Sequence, residues 1–503
     1  MGLYTRITRN WLEHRFTRRS PGGVYYAHMP VYGYGQPDCE TGHTGRLARA
    51  LRMLQALDRL EFGSLLDVGG AEGFFATVVQ RMFGVPTATT DLSHEACLRA
   101  RELFALPAAA VDSARLPFAD GAFDVVVCSE VLEHVEHPVE TLLELQRVAR
   151  VAVLLTTEEI RYDRAVLDDY LFRRPGWPHM ERNLFHPDDL AACLPGAHLQ
   201  PQCDAWPPQQ EPPADEALAW LHAHTRTPEL APGRIGVVAT IPGPRFQARP
   251  PRHDDEQRLA ALFAPQTVPG QRAAPPSTDD DAAWFARLRD PHTGEPLRPG
   301  DGALHGSRRY GVRDGVPDFV DVDAPPPPRD TLVARTAALP AVQRDALLSL
   351  RDRLYLPERW PQDHFDLRVR EQRRGFWPNH DLVPRSAPAP HDVGFVWNSI
   401  GPDPWVVTPC LSRPIATVEL VMRIHNPAYS IDAGVGQLFW KGADDDSFTE
   451  PRSVKFQVWN DGQVHHYRVP LAGHPGLPAE VQWLRIDPVD GRAEIDLLEL
   501  RLS

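Results

Sequence analysis

Residues 65–79 read LLDVGGAEGFFATVV. An apolar run ends in Asp67 and opens into Gly69, Gly70 and Gly73 before a second apolar run begins. A strand that stops at a glycine-rich turn and continues as a helix brings backbone close to a ligand and aims free N–H groups at it. The order here is Asp67-x-Gly69-x-x-x-Gly73, not the dinucleotide fingerprint G-x-G-x-x-G. Glu72 within the turn would repel a pyrophosphate, whereas Asp67 is placed to order the loop or to meet a cation. A dinucleotide is therefore disfavoured.

Working outward, Leu47, Leu51, Leu54, Leu57 and Leu60 recur at helical spacing and predict an amphipathic helix over 44–61. Strands are expected at 64–68, 87–90, 109–111, 123–128, 151–156 and 235–241, with helices at 72–83, 93–106, 139–148 and 187–193. This βαβ alternation predicts an α/β Rossmann-like domain over 44–245, with a parallel sheet covered on both faces. An N-terminal arm, 1–43, precedes it. Its aromatic stretch VYYAHMPVYGYG (24–35) either lids a pocket or packs the arm down.

Beyond residue 245 the 51 prolines of the chain cluster at apparent seams. Residues 246–283 read as a polar, proline-rich linker around one short helical patch, 284–324 as a small β ribbon, and 325–390 as a helical then proline-rich connector. From 391 to 503 alternating strands predict an antiparallel β-sandwich, jelly-roll-like. Within it VKFQVW and QVHHYRV flank Asn460-Asp461-Gly462, a hairpin signal.

Composition bounds the partners. With 503 residues, about three domains are expected. A formal charge of −14 argues against a broad polyanion-binding surface, so no DNA is expected and RNA is disfavoured. Lys441 and Lys455 are the sole lysines; the arginine dominance reads as a high-GC genome, hence a bacterial source. Cys39, Cys97, Cys128, Cys193, Cys203 and Cys410 show no C-x-x-C spacing, which offers neither a zinc site nor a redox motif and fits a reducing, cytoplasmic setting. No run approaches the ~20 apolar residues of a membrane span.

At this point four motifs resemble those of class I S-adenosylmethionine (SAM)-dependent methyltransferases, of the broad superfamily that includes the ubiquinone-biosynthesis type. LLDVGGAEG is similar to their first motif, TTDLS to the second and VDSARLPFADGAFDVVVCSEVLEHVEHP to the third and fourth, with RNLFHPDDL as a later element. The resemblance covers about residues 60–245, and its specificity lies in four motifs in order at matching spacing. It implies SAM as cofactor. Gly69, Gly70 and Gly73 would form the turn under the methionine part, with Asp67 beside it. Asp91 would accept both ribose hydroxyls, followed by Leu92; Asp112 would accept the adenine amino group, with Ser113 and Ala114 supplying nearby backbone, and Ser129 would line the methyl end. Ala71 departs from a common glycine, tolerable where its φ is negative.

The sulfonium carries its own activation, so such an enzyme aligns nucleophile, methyl carbon and sulfur and excludes water. A base serves a nucleophile that must lose a proton, such as a sugar hydroxyl. His134 and Glu130 are the candidates, while Glu133 serves equally as a helix brace. Glu130-x-x-Glu133-His134 also resembles the metal motif of small-RNA 2'-O-methyltransferases, with His179 or His186 as a further ligand; an acidic chain speaks against it, and no metal is expected.

The block PHTGEPLRPGDGALHGSRRYGVRDGVPDFV is similar to the Trm112-type ribbon, matching at Tyr310, Asp314, Gly315, Val316 and Pro317. Asp290 stands where zinc-binding relatives carry cysteine, which implies a structural or docking ribbon without zinc. The C-terminal strands resemble jelly-roll modules of bacterial glycan-modifying enzymes. Trp397, Trp405, Trp440, Trp459 and Trp483 are candidates to stack on sugars, core packing being their commoner use. The expectation is a SAM-dependent O-methyltransferase of a bacterial glycan or glycan-like metabolite. The alternatives are the metal-dependent RNA enzyme and a non-catalytic scaffold.

Overall fold

The computed structural model describes residues 3–160, 183–202, 210–224, 235–321, 328–354, 363–373, 376–379, 381–385, 395–426, 433–442, 445 and 447–503. Two compact units divide the chain, one built mainly from Thr8–Arg164 and Asn183–Tyr355, the other from Leu356–Ser503.

In the first unit, helices α1 (Leu3–Thr17) and α2 (His43–Leu57) precede strand β1 (Leu65–Val68). Then follow α3 (Phe74–Phe83), β2 (Thr87–Asp91), α4 (His94–Phe104), β3 (Ala108–Ala110), β4 (Phe123–Ser129), α5 (Pro138–Val148) and β5 (Ala149–Ile160). The remaining elements of the sheet region are α6 (Pro187–Cys193), β6 (His198–Gln202), α7 (Ala214–His224) and β7 (Ile235–Pro242). The seven strands run in the order β3-β2-β1-β4-β5-β7-β6. β1 to β5 are parallel and largely buried, with continuous apolar runs in β4 and the middle of β5 and buried threonines in β2. The expectation of a wholly parallel sheet needs correction, because β7 inserts antiparallel between β5 and β6.

The stretch expected as a linker, 246–283, also needs correction. It holds α8 (Asp255–Phe263) and the start of α9 (Thr278–Arg287), each opened by a reciprocal capping box, Asp254 with Gln257 and Ser277 with Asp280. α8 is clamped to α2: Arg258 (2.6 Å) and the His253 N–H (2.8 Å) donate to Asp58, and the Gln55 amide donates to Asp255 (2.8 Å). Asp58 is fully buried, and the neighbouring His253 and Arg258 hold its carboxyl below the usual range against the opposing effect of burial. From α9, the Trp284 indole donates to Ala108 O (3.2 Å) and its ring packs on Phe118.

Next comes a four-stranded antiparallel sheet of short strands: β8 (Arg298–Gly300), β9 (Ala303–His305), β10 (Arg309–Arg313) and β11 (Val316–Pro317). Asp290 accepts the N–H groups of His292 (2.8 Å), Thr293 (3.2 Å) and Ser307 (2.5 Å). Those bonds pull its carboxyl below the usual range although burial opposes them. One carboxylate thus ties together the two turns of this block. Just past β11, Asp318 forms a parallel bridge to Ala110, and Phe319 N–H donates to Ala110 O (2.9 Å). The small sheet thereby covers the otherwise open β3 edge.

Two helices, α10 (Arg329–Thr336) and α11 (Ala341–Leu354), occupy the helical part of the connector, with Pro340 between them. They lie on α5 and α6 through Arg335 to Glu144 (2.7 Å), Arg351 to Glu140 (3.2 Å) and Gln343 to Cys193 O (3.1 Å).

The second unit has two antiparallel sheets. One contains β12 (His364–Asp366), β14 (Leu382–Pro384), β15 (Phe395–Ser399), β17 (Thr417–His425), β20 (Asp461–Pro470) and β22 (Glu494–Leu502). The other contains β13 (Trp377–Pro378), β16 (Val406–Arg413), β18 (Ala433–Lys441), β19 (Ser453–Trp459) and β21 (Val481–Asp487). Leu420 and Met422 of one sheet share a buried apolar cluster with Trp440, Leu484 and Ile486 of the other. Two expectations change. The β region begins before residue 391, since β12 to β14 already belong to these sheets. And Asn460-Asp461-Gly462 is not a hairpin: β19 pairs with β18 while β20 pairs with β17, so the turn carries the chain between sheets. Trp397, Trp440 and Trp483 are core residues, Trp405 is half-buried, and Trp459 is 43% exposed.

Candidate functional site

The strand order reverses direction at β1, whose neighbours are β2 on one side and β4 on the other. In open α/β sheets the crevice beyond the strand C-termini at such a point is where ligands sit. The glycine turn lies there. Gly69 N–H and Gly70 N–H both donate to Thr90 O (2.7 and 3.1 Å), so the turn folds across the end of β2. Gly73 adopts φ +80° and ends the turn, which is why α3 begins at Phe74 and not at Glu72 as its apolar pattern predicts. A Cβ on Gly70 would lie 2.3 Å from Thr89 Oγ1 and 2.7 Å from Asp67 Oδ2, so the backbone approach excludes any side chain there. Ala71 has φ +48°, contrary to the negative value expected. Its left-handed conformation aims its N–H at Asp91 Oδ2 (3.0 Å).

Asp91 ends β2. Oδ1 accepts Ser93 N–H (2.9 Å) and Oδ2 accepts Ala71 N–H, leaving one lone pair on each oxygen directed away from these bonds. Burial pushes its carboxyl up to about 6 despite both N–H donors. Asp67, on β1, is pushed up to about 7 by burial and by the Asp91 charge, and its Oδ2 has no hydrogen-bond partner among the described residues. Glu72 is wholly buried: Oε1 accepts Met29 N–H (2.6 Å), and Oε2 has no partner among the described residues. Three carboxylates therefore surround one glycine turn, an arrangement that suits a cationic ligand and opposes an anionic one.

Beyond β3, Asp112 Oδ1 accepts Ala114 N–H (3.0 Å), and burial raises its carboxyl above the usual range. The Ser113 hydroxyl turns to Thr141 (3.0 Å), leaving its backbone for the crevice side. Leu92 follows Asp91 at the β2 terminus, half-buried. Ser129 Oγ lies 2.8 Å from Thr156 Oγ1, which donates to Glu130 Oε1 (2.7 Å). Glu130 itself has φ +54°, just past β4. His134 closes the following turn, its N–H on Val131 O (2.9 Å). The fold thus gathers Asp67, Gly69, Gly70, Gly73 and Asp91 around the turn, puts Asp112 to Ala114 beyond β3, and sets Ser129 and Glu130 at the β4 terminus.

Of the metal candidates, His186 Nδ1 accepts Asp188 N–H (3.2 Å) as the cap of α6, and His179 lies outside the described residues. Among the described residues no group of three His, Cys, Asp or Glu side chains could hold a metal ion.

Sequence reasoning missed the part played by the arm. Glu13 of α1 accepts Ser93 Oγ (3.0 Å) and the N–H groups of His94 (2.8 Å) and Glu95 (2.9 Å), capping α4 beside Asp91. Arg99, 1% exposed, holds the arm through Tyr26 O (3.0 Å) and Arg18 O (3.1 Å). Val31 and Tyr32 of the aromatic stretch are buried against α2 and α3, so this part of the arm packs down. The sequence signal for this packing was the aromatic stretch 24–35; nothing in it pointed to Glu13 as the cap of α4.

Residues 66–155 match the family described as Methyltransferase domain. Two proteins named Uncharacterized methyltransferase, from Mycobacterium sp. strains KMS and MCS, are each 38% identical over 94 residues, 17% of this chain and 34% of theirs. The chain thus spans about a third of the length of these curated relatives. Among solved structures, the complex of the Haloferax volcanii Trm112 methyltransferase activator with a methyltransferase is 15% identical, covering 40% of this chain and 92% of that one with a TM-score of 0.30. Geranyl diphosphate C-methyltransferase from Streptomyces coelicolor A3(2), solved with S-adenosyl-L-homocysteine, is 16% identical over 48% of this chain and 97% of that one, TM-score 0.30. Residues 66–155 thus match a methyltransferase domain.

Proposed function

We propose that this chain is a SAM-dependent O-methyltransferase whose acceptor is a bacterial glycan or glycan-like metabolite. The observation that carries the cofactor half is the glycine turn with two buried carboxylate oxygens, Asp67 Oδ2 and Glu72 Oε2, that have no hydrogen-bond partner among the described residues and fit a ligand bearing a sulfonium and an ammonium. Gly69, Gly70 and Gly73 hold the methionine part, the remaining lone pairs of Asp91 take the ribose diol, Leu92 packs beside the adenosine, and Asp112 with the Ser113 and Ala114 backbone reads the adenine. Ser129 lines the methyl end. SAM supplies a methyl group already activated on sulfur, so the chain's task is alignment and exclusion of water. The packed arm, through Glu13 and Met29, favours that exclusion.

The acceptor half draws on the second unit. Its two sheets sharing one core are read as a jelly-roll-like sandwich. Trp459 is its exposed tryptophan, with His465 6.2 Å away between ring centroids and Asp461 hydrogen-bonded to that histidine (2.9 Å). An indole face beside a carboxylate and an imidazole suits a sugar ring. The block 284–324 is read as a Trm112-like ribbon in which Asp290 does by hydrogen bonding what a metal does in zinc-bearing ribbons, and which docks on β3.

Isothermal titration with SAM tests the cofactor site. Asp91→Ala is expected to weaken binding at least tenfold; unchanged affinity would remove the ribose contact. Incubation with methyl-labelled SAM and a fractionated bacterial extract tests the acceptor. Label in saccharide is expected, and label confined to RNA would replace the glycan reading with the RNA one.

A further inference from the structure

Ser93 stands between two carboxylates that belong to different elements. Its N–H donates to Asp91 Oδ1 (2.9 Å) and its hydroxyl to Glu13 Oε2 (3.0 Å), while the same Oγ accepts Ala96 N–H (3.2 Å). Ser93 is wholly buried, so water does not compete for these bonds. Glu13, on α1, also accepts the first two N–H groups of α4, His94 on Oε1 (2.8 Å) and Glu95 on Oε2 (2.9 Å). One residue therefore separates the arm's carboxylate from the carboxylate at the end of β2.

Glu13 is itself held in place. Arg9, one helical turn earlier, donates to Glu13 Oε1 (3.3 Å), to Asp318 Oδ2 (2.5 Å) and to Val320 O (3.2 Å). Arg313 of β10 donates to His94 Nδ1 (2.7 Å) and to Glu95 Oε1 (2.6 Å). Ser93 already caps α4, so the helix does not need a second cap from a distant element. The second cap brings a negative charge within reach of Asp91: burial raises that carboxyl, the Ser93 and Ala71 N–H groups oppose it, and Glu13 and Glu72 raise it further. Carboxylates crowded in this way are relieved by a ligand that donates hydrogen bonds, and a diol offers two.

Resting on the SAM-dependent reading above, we infer that Glu13 is a positioning residue for the cofactor: bonded to Ser93, it fixes the Asp91 carboxylate toward the ribose hydroxyls, and its charge makes that carboxylate a stronger acceptor. Glu13 lies outside residues 66–155, so the arm supplies part of the cofactor site. The other groups that face this place stay constant when Glu13 is changed. Asp67 from β1, Glu72 from the turn and the Cys97 thiol from α4 act on Asp91 or respond to it. Around Glu13 stand Arg9, Asp318 and His94; burial and Arg313 push His94 down, with Asp318, Val316 O and Glu13 opposing. A difference in pH response between wild type and a Glu13 variant therefore reports the Glu13 charge.

The test titrates the full chain with S-adenosylhomocysteine between pH 5 and 8, for wild type, Glu13→Gln and Glu13→Asp, and records the thermal midpoint of each. Asp91 accepts both hydroxyls only when ionised, so wild-type affinity should fall as pH drops through about 6. Glu13→Gln removes a charge that raises Asp91, so its fall should come at lower pH. Its affinity at pH 7.5 should be weaker than wild type by roughly fivefold or more. Glu13→Asp keeps the charge, and its affinity should fall at a pH nearer that of wild type. A lowered thermal midpoint in Glu13→Gln with the fall at the wild-type pH would make Glu13 a helix cap alone and overturn the assignment. Affinity within twofold of wild type at pH 7.5 would overturn it as well. Wild type that binds no S-adenosylhomocysteine would instead overturn the cofactor reading on which it rests.

Discussion

Asp67 and Asp91 show how two neighbouring strands can bring buried carboxyls together for a ligand to relieve. Both carboxyls sit above their ordinary range, so in the ligand-free protein they hold protons that the unfolded chain has released. Their contribution to stability is complete below about pH 4 and is lost as pH rises toward 7. Asp67→Asn removes its share of that loss. Urea midpoints between pH 4.5 and 7.5 should show the variant gaining on wild type as pH rises, by a total on the order of 2 kcal/mol. A constant difference would mean that Asp67 titrates normally. The glycines make a steric prediction. A Cβ at Gly73 would lie 2.7 Å from Leu106 Cδ1 and 3.0 Å from Ala100 Cβ, at a φ of +80°. Gly73→Ala should destabilise the fold by roughly 1–3 kcal/mol in chemical denaturation. The glycine turn and its flanking carboxylates were legible as residues at a strand end or in a turn, while the ligand roles assigned to them came from the resemblance of the motifs. The left-handed Ala71 was not legible, since its conformation is imposed by its bond to Asp91, twenty residues on.

At the scale of elements, α8 and α9 carry the clearest lesson. Their proline-rich surroundings suggest a linker, yet both capping boxes stand in the sequence, and each helix finds a partner surface in the first unit. The Asp58–Arg258 pair is the clamp for α8, with both groups nearly inaccessible to solvent. Asp58→Ala would leave that guanidinium with Asp255 alone as counter-charge (2.6 Å) and strip the His253 N–H of its acceptor, and should cost about 1–3 kcal/mol by urea unfolding. A loss below 1 kcal/mol would show that water or a neighbour replaces the carboxylate. The turn at Asn460-Asp461-Gly462 is the converse case. Its residues permit a tight turn, and Gly462 does adopt φ +73°, but turn chemistry cannot say which sheet receives the next strand. That depends on burial: β20 buries Tyr467 and Val469 in the shared core from the β17 side.

For the whole molecule, the two compact units predict two separable unfolding events. Ligand that binds only the folded first unit should shift its transition alone. Leu420→Ala, at a wholly buried position in the second unit, should lower only the other transition, by about 2–5 kcal/mol in stability. Differential scanning calorimetry with and without S-adenosylhomocysteine distinguishes the two. A single transition moved by both would mean that the units unfold together.

The amino-acid sequence alone determined the order of strands and helices from β1 to β5, the glycine turn, and the acidic residues at its rim. Those features depend on local periodicity, on backbone that glycine permits, and on residues at strand ends, all readable within a few dozen positions. Only the tertiary structure decided the antiparallel β7, the docking of 246–321 along α2 and β3, and the burial of three of the five candidate tryptophans. Each of these depends on which distant surfaces exclude water from one another, and that is a property of the folded chain as a whole.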